Sequence, residues 1–232
     1  MAAIAAQNNE GPAFAGLLRS GAVECWGSDS NGELGNGLFV DSATPVRVTG
    51  LAGRAVAVDT GDAHTCALLA TGTVECWGWN IEGQLGNGGG SDSASPVKVS
   101  GLGPARAIAT GGSHTCALLR RGSVECWGAN LYGQLGDGTT SDSAMPVEVS
   151  SLQGGVASIA AGLYHSCALL EGGSATCWGW NDQGQLGNGT VSTSPSPAGV
   201  ARLGLAADGT GSVVASPTSL AGSARQATIT FT

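Results

Sequence analysis

The tripeptide Cys-Trp-Gly occurs four times, at Cys25-Trp26-Gly27, Cys76-Trp77-Gly78, Cys126-Trp127-Gly128 and Cys177-Trp178-Gly179. Successive cysteines are 51, 50 and 51 residues apart. A period that strict means one structural unit copied in series. Such arrays present a surface, so the period constrains the architecture far more than the partner.

The second copy shows what the unit is. Ala55-Val56-Ala57-Val58 is a short apolar strand. His64–Leu69 and Thr73–Gly78 then flank Ala70-Thr71-Gly72, a hairpin with a three-residue loop whose last position favours glycine because φ is positive there. Gly21, Gly72, Gly122 and Gly173 hold that position in the four copies. The loop length sets Leu69 opposite Thr73, Leu68 opposite Val74 and Cys66 opposite Cys76. Alternation then puts His64, Cys66, Leu68, Val74, Cys76 and Gly78 on one face. Thr65, Ala67, Leu69, Thr73, Glu75 and Trp77 take the other. Both faces carry apolar groups, as a sheet between two other sheets requires. Ser95–Val99 reads as an outer edge strand with proline at its start, where a missing N–H does little harm.

Four short strands in about fifty residues, buried on both faces, describe a propeller blade. The expected fold is therefore all-β, a β-propeller of about four four-stranded blades. Ankyrin and tetratricopeptide repeats are shorter and helical, and no segment here has helical periodicity. Kelch repeats share the period, but their double glycine with spaced Tyr and Trp is absent.

The residues that carry the period resemble the repeat of the regulator of chromosome condensation family. Gly61-Asp62-Ala63-His64-Thr65-Cys66-Ala67-Leu68, Gly111–Leu118 and Gly162–Leu169 match one half of its pattern. Gly83-Gln84-Leu85-Gly86, Gly133–Gly136 and Gly184–Gly187 match the other, with Gly32-Glu33-Leu34-Gly35 in the first copy. The resemblance covers about residues 4–203 and implies propeller repeats at about 1–51, 52–102, 103–153 and 154–203. Family members usually close seven blades, so this chain is similar to a partial propeller. Its terminal blades are expected to expose faces open to self-association. The first copy departs from the pattern, with Ala13 and Ala15 where His and Cys belong. The tail, 204–232, is read as a last-blade strand or the start of a β-sandwich domain.

The seven cysteines form three hairpin pairs, Cys66/Cys76, Cys116/Cys126 and Cys167/Cys177, leaving Cys25 unpaired. Opposed strand residues lie within disulfide range. Disulfides and reduced core thiols both fit, and disulfides would place the chain in an oxidising compartment. A zinc site is disfavoured, because one hairpin supplies only two thiols and a His and Cys-x₂-Cys is missing. His64, His114 and His165 recur with the repeat and are read as structural, organising a turn through hydrogen bonds to backbone. Trp26, Trp77, Trp127 and Trp178 are read as packing between blades.

Residues that vary among copies at a loop mouth are better candidates for contact. Trp79 and Trp180 stand where Ser28 and Ala129 occupy the other copies. Ile81, Leu131, Tyr132 and Asp182 join them as the candidate partner-binding set. The Asp/Asn-rich loops fit turn chemistry better than calcium, since no full Asp-x-Asp-x-Asp-Gly series with a distal Glu is present.

Nine Lys+Arg against seventeen Asp+Glu give a net charge of −8, which argues against a nucleic-acid partner. No apolar stretch approaches the ~20 residues of a membrane span. No Ser/His/Asp set, phosphate loop, carboxylate dyad or cofactor motif stands out, so no catalysis, cofactor or metal is expected. The expected role is a non-catalytic protein-interaction module, extracellular or on the cell surface, binding a protein through loops on one propeller face. The family resemblance implies two alternatives: an intracellular, cytoplasmic regulator similar to a guanine-nucleotide exchange factor for a small GTPase, and a secreted enzyme inhibitor. The chain shows no basic tail of the chromatin-binding kind. A plant-type ultraviolet photoreceptor would need a tryptophan two residues before each repeat His, where Asp62, Gly112 and Leu163 stand.

Overall fold

A computed structural model of the protein describes residues 3–6, 13–152 and 155–201. They form four antiparallel four-stranded sheets, each in simple chain order. The first blade holds β1 (Ala3–Ala6), β2 (Ala13–Leu17), β3 (Val23–Gly27) and β4 (Ser42–Arg47). The second holds β5 (Ala55–Thr60), β6 (His64–Leu69), β7 (Val74–Gly78) and β8 (Ser93–Lys98). The third holds β9 (Ala105–Thr110), β10 (His114–Leu119), β11 (Val124–Gly128) and β12 (Ser143–Glu148). The fourth holds β13 (Val156–Ala161), β14 (His165–Leu170), β15 (Ala175–Gly179) and β16 (Ser194–Gly199). The first strands of neighbouring sheets touch one another, so they lie innermost. The tail reading for 204–232 falls outside the described residues.

Hairpin register follows from the loops. Leu69 N–H donates to Thr73 O and Gly72 N–H to Leu69 O, both at 2.8 Å. Gly72 takes φ +94°, which an L side chain would resist. That closure sets Leu68 opposite Val74, Cys66 opposite Cys76 and His64 opposite Gly78.

Alternation along these strands then builds the core between blades. Cys66, Leu68, Val74 and Cys76 of the second blade pack against Ala105, Ile108, Ala117, Leu119 and Trp127 of the third. The same arrangement joins the first blade to the second through Ala15, Val23, Cys25, Ala67, Leu69 and Trp77. It joins the third to the fourth through Cys116, Val124, Cys126, Ala168 and Trp178. Each blade thus shows its cysteine face to the following blade and its tryptophan face to the preceding one.

Tryptophan locks each seam. Trp77, Trp127 and Trp178 are fully buried. Their Nε1–H groups donate to the main-chain carbonyls of Glu33, Gln84 and Gln134 in the preceding blade, at 2.8, 2.9 and 2.9 Å. The indole lies so close to Gly35, Gly86 and Gly136 that a Cβ there would sit 2.6 to 2.8 Å from Nε1. Trp26 differs from its copies. It is half-buried and stacks on Phe14 with ring centroids 5.8 Å apart, because no described blade precedes it.

The histidines also differ from the expectation that they bind backbone. His64 Nε2 meets Thr115 Oγ1 at 2.8 Å and His114 Nε2 meets Ser166 Oγ at 2.8 Å, both in the following blade. Those hydroxyls donate onward to Gln84 O and Gln134 O. A hydroxyl that donates onward must accept from the imidazole, which makes Nε2 the protonated nitrogen. Full burial holds His64 and His114 far below the ordinary histidine range, at about 4 and about 3. They therefore serve as neutral bridges between blades. His165, whose pKa burial also lowers, meets no hydroxyl among the described residues.

Three disulfides, Cys66–Cys76, Cys116–Cys126 and Cys167–Cys177, cross the middle hairpins. Cys25 is a buried free thiol, because Ala15 stands opposite it. Burial, and secondarily the Asp29 charge, push its pKa well above the usual thiol range.

Candidate interaction site

The connections from the third to the fourth strand of each blade are held by one buried side chain. In the third blade Asn130 Oδ1 accepts from Leu135 N–H at 2.9 Å. Its Nδ2 donates to Thr139 O at 3.2 Å and Ser141 O at 3.0 Å. Asp142 Oδ1 accepts from Asn130 N–H at 2.7 Å. Asn80 makes the same contacts in the second blade, and Asn181 makes the same side-chain contacts in the fourth, where Thr193 stands in place of the aspartate. This satisfies a buried loop backbone and leaves the two residues after each asparagine pointing outward. They are Ile81-Glu82, Leu131-Tyr132 and Asp182-Gln183.

Two of these loops converge on an aromatic cluster. Tyr132 lies 5.3 Å from Tyr164 and 6.0 Å from Trp180, and Tyr164 meets Trp180 edge-on at 5.8 Å. Trp180 N–H donates to Tyr164 O at 2.9 Å, which ties the loop after β15 to the turn before β14. The three rings are half-buried and straddle the seam between the third and fourth blades. Beside Tyr132 in its own loop, Leu131 is 70% exposed; Ile81, its counterpart in the second blade, is 66% exposed. Asp182 is exposed in the fourth-blade loop. The structure thus brings Tyr132 and Trp180 together. Trp79 is half-buried in the second blade, with its N–H on Ala63 O, and joins no ring contact among the described residues.

Two features were absent from the candidate set. Tyr164 completes the cluster; it occupies a position held by Ala63 and Ser113 in other copies, so variation among copies was its signal. The second is Leu38-Phe39-Val40, exposed to 56%, 56% and 65%. Here Asp29 replaces the loop asparagine. A carboxylate has no N–H to hold the carbonyls nine and eleven residues on. Like the asparagines, it accepts from the leucine five residues on, Leu34 N–H at 2.8 Å, and its second oxygen accepts from Val40 N–H at 3.1 Å. Burial raises the Asp29 pKa against those two bonds, which lower it. The matching positions are exposed in the other blades too, and in this loop they carry three apolar side chains in a row.

The chemistry available is that of contact. Among the described residues no three His, Cys, Asp or Glu side chains gather as metal ligands. No described helix is long and apolar enough to cross a membrane. Amphipathic rings beside exposed aliphatic side chains are what protein contacts use as anchors.

The repeat described as Regulator of chromosome condensation (RCC1) repeat matches residues 20–68, 71–118 and 121–169, and a second form matches 55–84, 105–134 and 156–185. The chain belongs to the RCC1 repeat family. Each longer match starts near a hairpin turn and ends on or beside the second strand of the next blade, so the sequence unit bridges two sheets. Among curated proteins it is similar to the ultraviolet-B receptor UVR8 of Arabidopsis thaliana, 36% identical over 79% of this chain and 43% of the receptor. It is also similar to the human E3 ubiquitin-protein ligase HERC2, 34% identical over 81% of this chain and 4% of the ligase. Among solved structures it is similar to human WBSCR16, with a TM-score of 0.71 and 28% identity over 81% of this chain and 49% of that one. Prp20p from Saccharomyces cerevisiae shares the fold, with a TM-score of 0.73 and 21% identity over 86% of this chain and 50% of that one. The chain spans less than half the length of these curated relatives and about half of the solved RCC1-type chains.

Proposed function

We propose that this RCC1-repeat chain is a non-catalytic protein-interaction module, acting outside the cell or on its surface, that grips a protein partner through the loop face carrying Tyr132, Tyr164 and Trp180. The observation that carries the reading is that three-ring cluster, held rigidly by buried asparagines and set in a face that also shows Leu131 and Ile81. Rigid aromatic anchors lose little entropy on binding and dominate interface energies. The disulfide pairs support an oxidising compartment. A secreted enzyme inhibitor is one form such a module takes.

A second reading, an intracellular regulator of a small GTPase, has one observation in its favour. The fold is shared with Prp20p, a protein described with its binding to Gsp1p and histones.

The test is a photo-crosslinker at Leu131 in protein incubated with secreted, surface and cytosolic fractions of the natural host. Crosslinking to a secreted or surface protein, weakened tenfold or more by Trp180→Ser, is the expected result. Crosslinking to a cytosolic GTPase, or binding indifferent to Trp180→Ser and Tyr132→Ser, contradicts it.

A further inference from the structure

Charge is divided between the two ends of the blades. Each sheet has a loop end, where the first strand turns into the second and the third leaves for the fourth. It has a hairpin end, where the second strand turns into the third. Every described Lys and Arg lies at the hairpin end. Arg19, Arg120 and Arg121 sit in the hairpin turns, Arg47 and Lys98 close β4 and β8, and Arg54 and Arg106 lie beside the first residues of β5 and β9. Glutamates are mixed with them there, as in the Arg121–Glu125 ion pair at 2.7 Å. The loop end is of one sign. Asp41, Glu82, Asp92, Asp137, Asp142 and Asp182 all reach its surface, and no described Lys or Arg accompanies them.

Three of these carboxylates belong to the loops that build the ring cluster. Asp137 Oδ1 accepts from Asn130 Nδ2 at 3.3 Å and Asp142 Oδ1 from Asn130 N–H at 2.7 Å, so both are fixed in the loop that presents Tyr132. Asp182 stands two residues beyond Trp180. The faces of indole and phenol rings carry negative charge density and attract ammonium and guanidinium groups. A cation laid on the cluster would meet ring faces beneath it and carboxylates from the same loops, with no resident cation to compete. An acidic partner would meet like charge there, which is costly at an interface.

We propose that the partner gripped by the loop face presents a basic segment. It lays an arginine or lysine over Tyr132, Tyr164 and Trp180 and sets its neighbouring cations against Asp137, Asp142 and Asp182. The inference rests on the loop-face reading above and supplies the chemistry of its partner. Arginine suits the site better than lysine, because its planar guanidinium stacks on a ring while its edge donates to a carboxylate. The division of charge also orients the encounter. The cations at the hairpin end turn a basic partner away from that end, and the acidic loop end draws it in.

The test is fluorescence anisotropy of two labelled probes with the full chain. One is a peptide of alternating arginine and serine. The other is the same peptide with citrulline, which keeps the shape and loses the charge. The arginine peptide should bind about tenfold tighter or more, and added salt should weaken it, because the carboxylates face solvent. Glu82→Gln, Asp137→Asn and Asp182→Asn combined should weaken it about tenfold or more at an unchanged denaturation midpoint. The loops accept such residues, since Gln183 holds the position of Glu82 in the fourth blade and Asn87 and Asn188 hold that of Asp137. Glu24→Gln, Glu148→Gln and Glu171→Gln combined remove the same charge from the hairpin end and should leave binding within about twofold. Equal weakening by the two combinations would assign binding to the net charge of −8 and overturns the proposal. Equal binding of the two peptides, or binding unmoved by Trp180→Ser, overturns it as well. The crosslink at Leu131 separates this inference from the reading beneath it. A partner lost in Trp180→Ser but kept in the loop-end combination overturns the basic segment alone. A partner indifferent to both overturns the loop-face reading.

Discussion

Trp127 Nε1 donates to the main-chain carbonyl of Gln84 at 2.9 Å, across the seam between the second and third blades. That one bond joins the Cys-Trp-Gly motif of one repeat to the Gly-Gln-Leu-Gly motif of the repeat before it. The two most regular features of the sequence are therefore two halves of a single contact.

Removing the indole should be costly where the seam is complete. Trp127→Ala should destabilise the protein by about 3–5 kcal/mol, the range for large aromatic truncations in a core. Trp127→Phe keeps the packing and loses the donor. It should cost about 1 kcal/mol, the low end for a buried carbonyl losing a partner, because Thr115 Oγ1 also donates to Gln84 O. Trp26→Ala in monomeric protein should cost less than Trp127→Ala, since Trp26 is half-buried. Denaturant midpoints for the three variants check the order.

The buried histidines predict a stability that falls with acid. His64 and His114 stay neutral in the folded protein down to about 4 and about 3, while in the unfolded chain they protonate near 6.5. Between those values the unfolded state binds more protons, so stability is full above 6.5 and declines as pH drops. The limiting slope is about 1.4 kcal/mol per pH unit for each histidine. Urea titrations through this window should show the decline, and His64→Gln should reduce its slope. An unchanged slope in that variant would assign the acid sensitivity to other groups.

Asn130 fixes the loop that presents Leu131 and Tyr132. Asn130→Ala strands the Leu135 N–H and two carbonyls and should cost about 1–3 kcal/mol. Hydrogen exchange at the Leu135 amide and through 137–141 should rise, while the Trp127 seam stays protected. Asn130→Asp should be milder, since Asp29 holds the first-blade loop by accepting two N–H bonds.

Much of this fold was legible because loop length fixes register. Once Gly72 marks the end of a three-residue turn, Cys66 must face Cys76, and alternation assigns every other side chain to a face. The site was legible only in part. Trp180 and Tyr132 stood out because other copies carry different residues there. Tyr164 varies in the same way but lies in another turn, and only the fold brings that turn beside Trp180. The histidines were misassigned to backbone because their hydroxyl partners lie about fifty residues on, in the next blade. The period predicts that copies are alike; it does not say which side chains of adjacent copies meet. Leu38-Phe39-Val40 had its signal in its own composition, since the other copies carry Gly89-Gly90-Ser91, Thr139-Thr140-Ser141 and Thr190-Val191-Ser192 at the matching positions.

The measurement that bears most directly on an exported, disulfide-stapled interaction module is the thiol count of the protein from its natural host. Intact mass would be read after alkylation, with and without denaturant and with and without prior reduction. The account predicts no label on the native protein, because Cys25 is buried with a thiol pKa raised well above the usual range. It predicts one label in denaturant and seven after reduction. Seven labels in denaturant without reduction would contradict it and turn the search for partners to the cytosol.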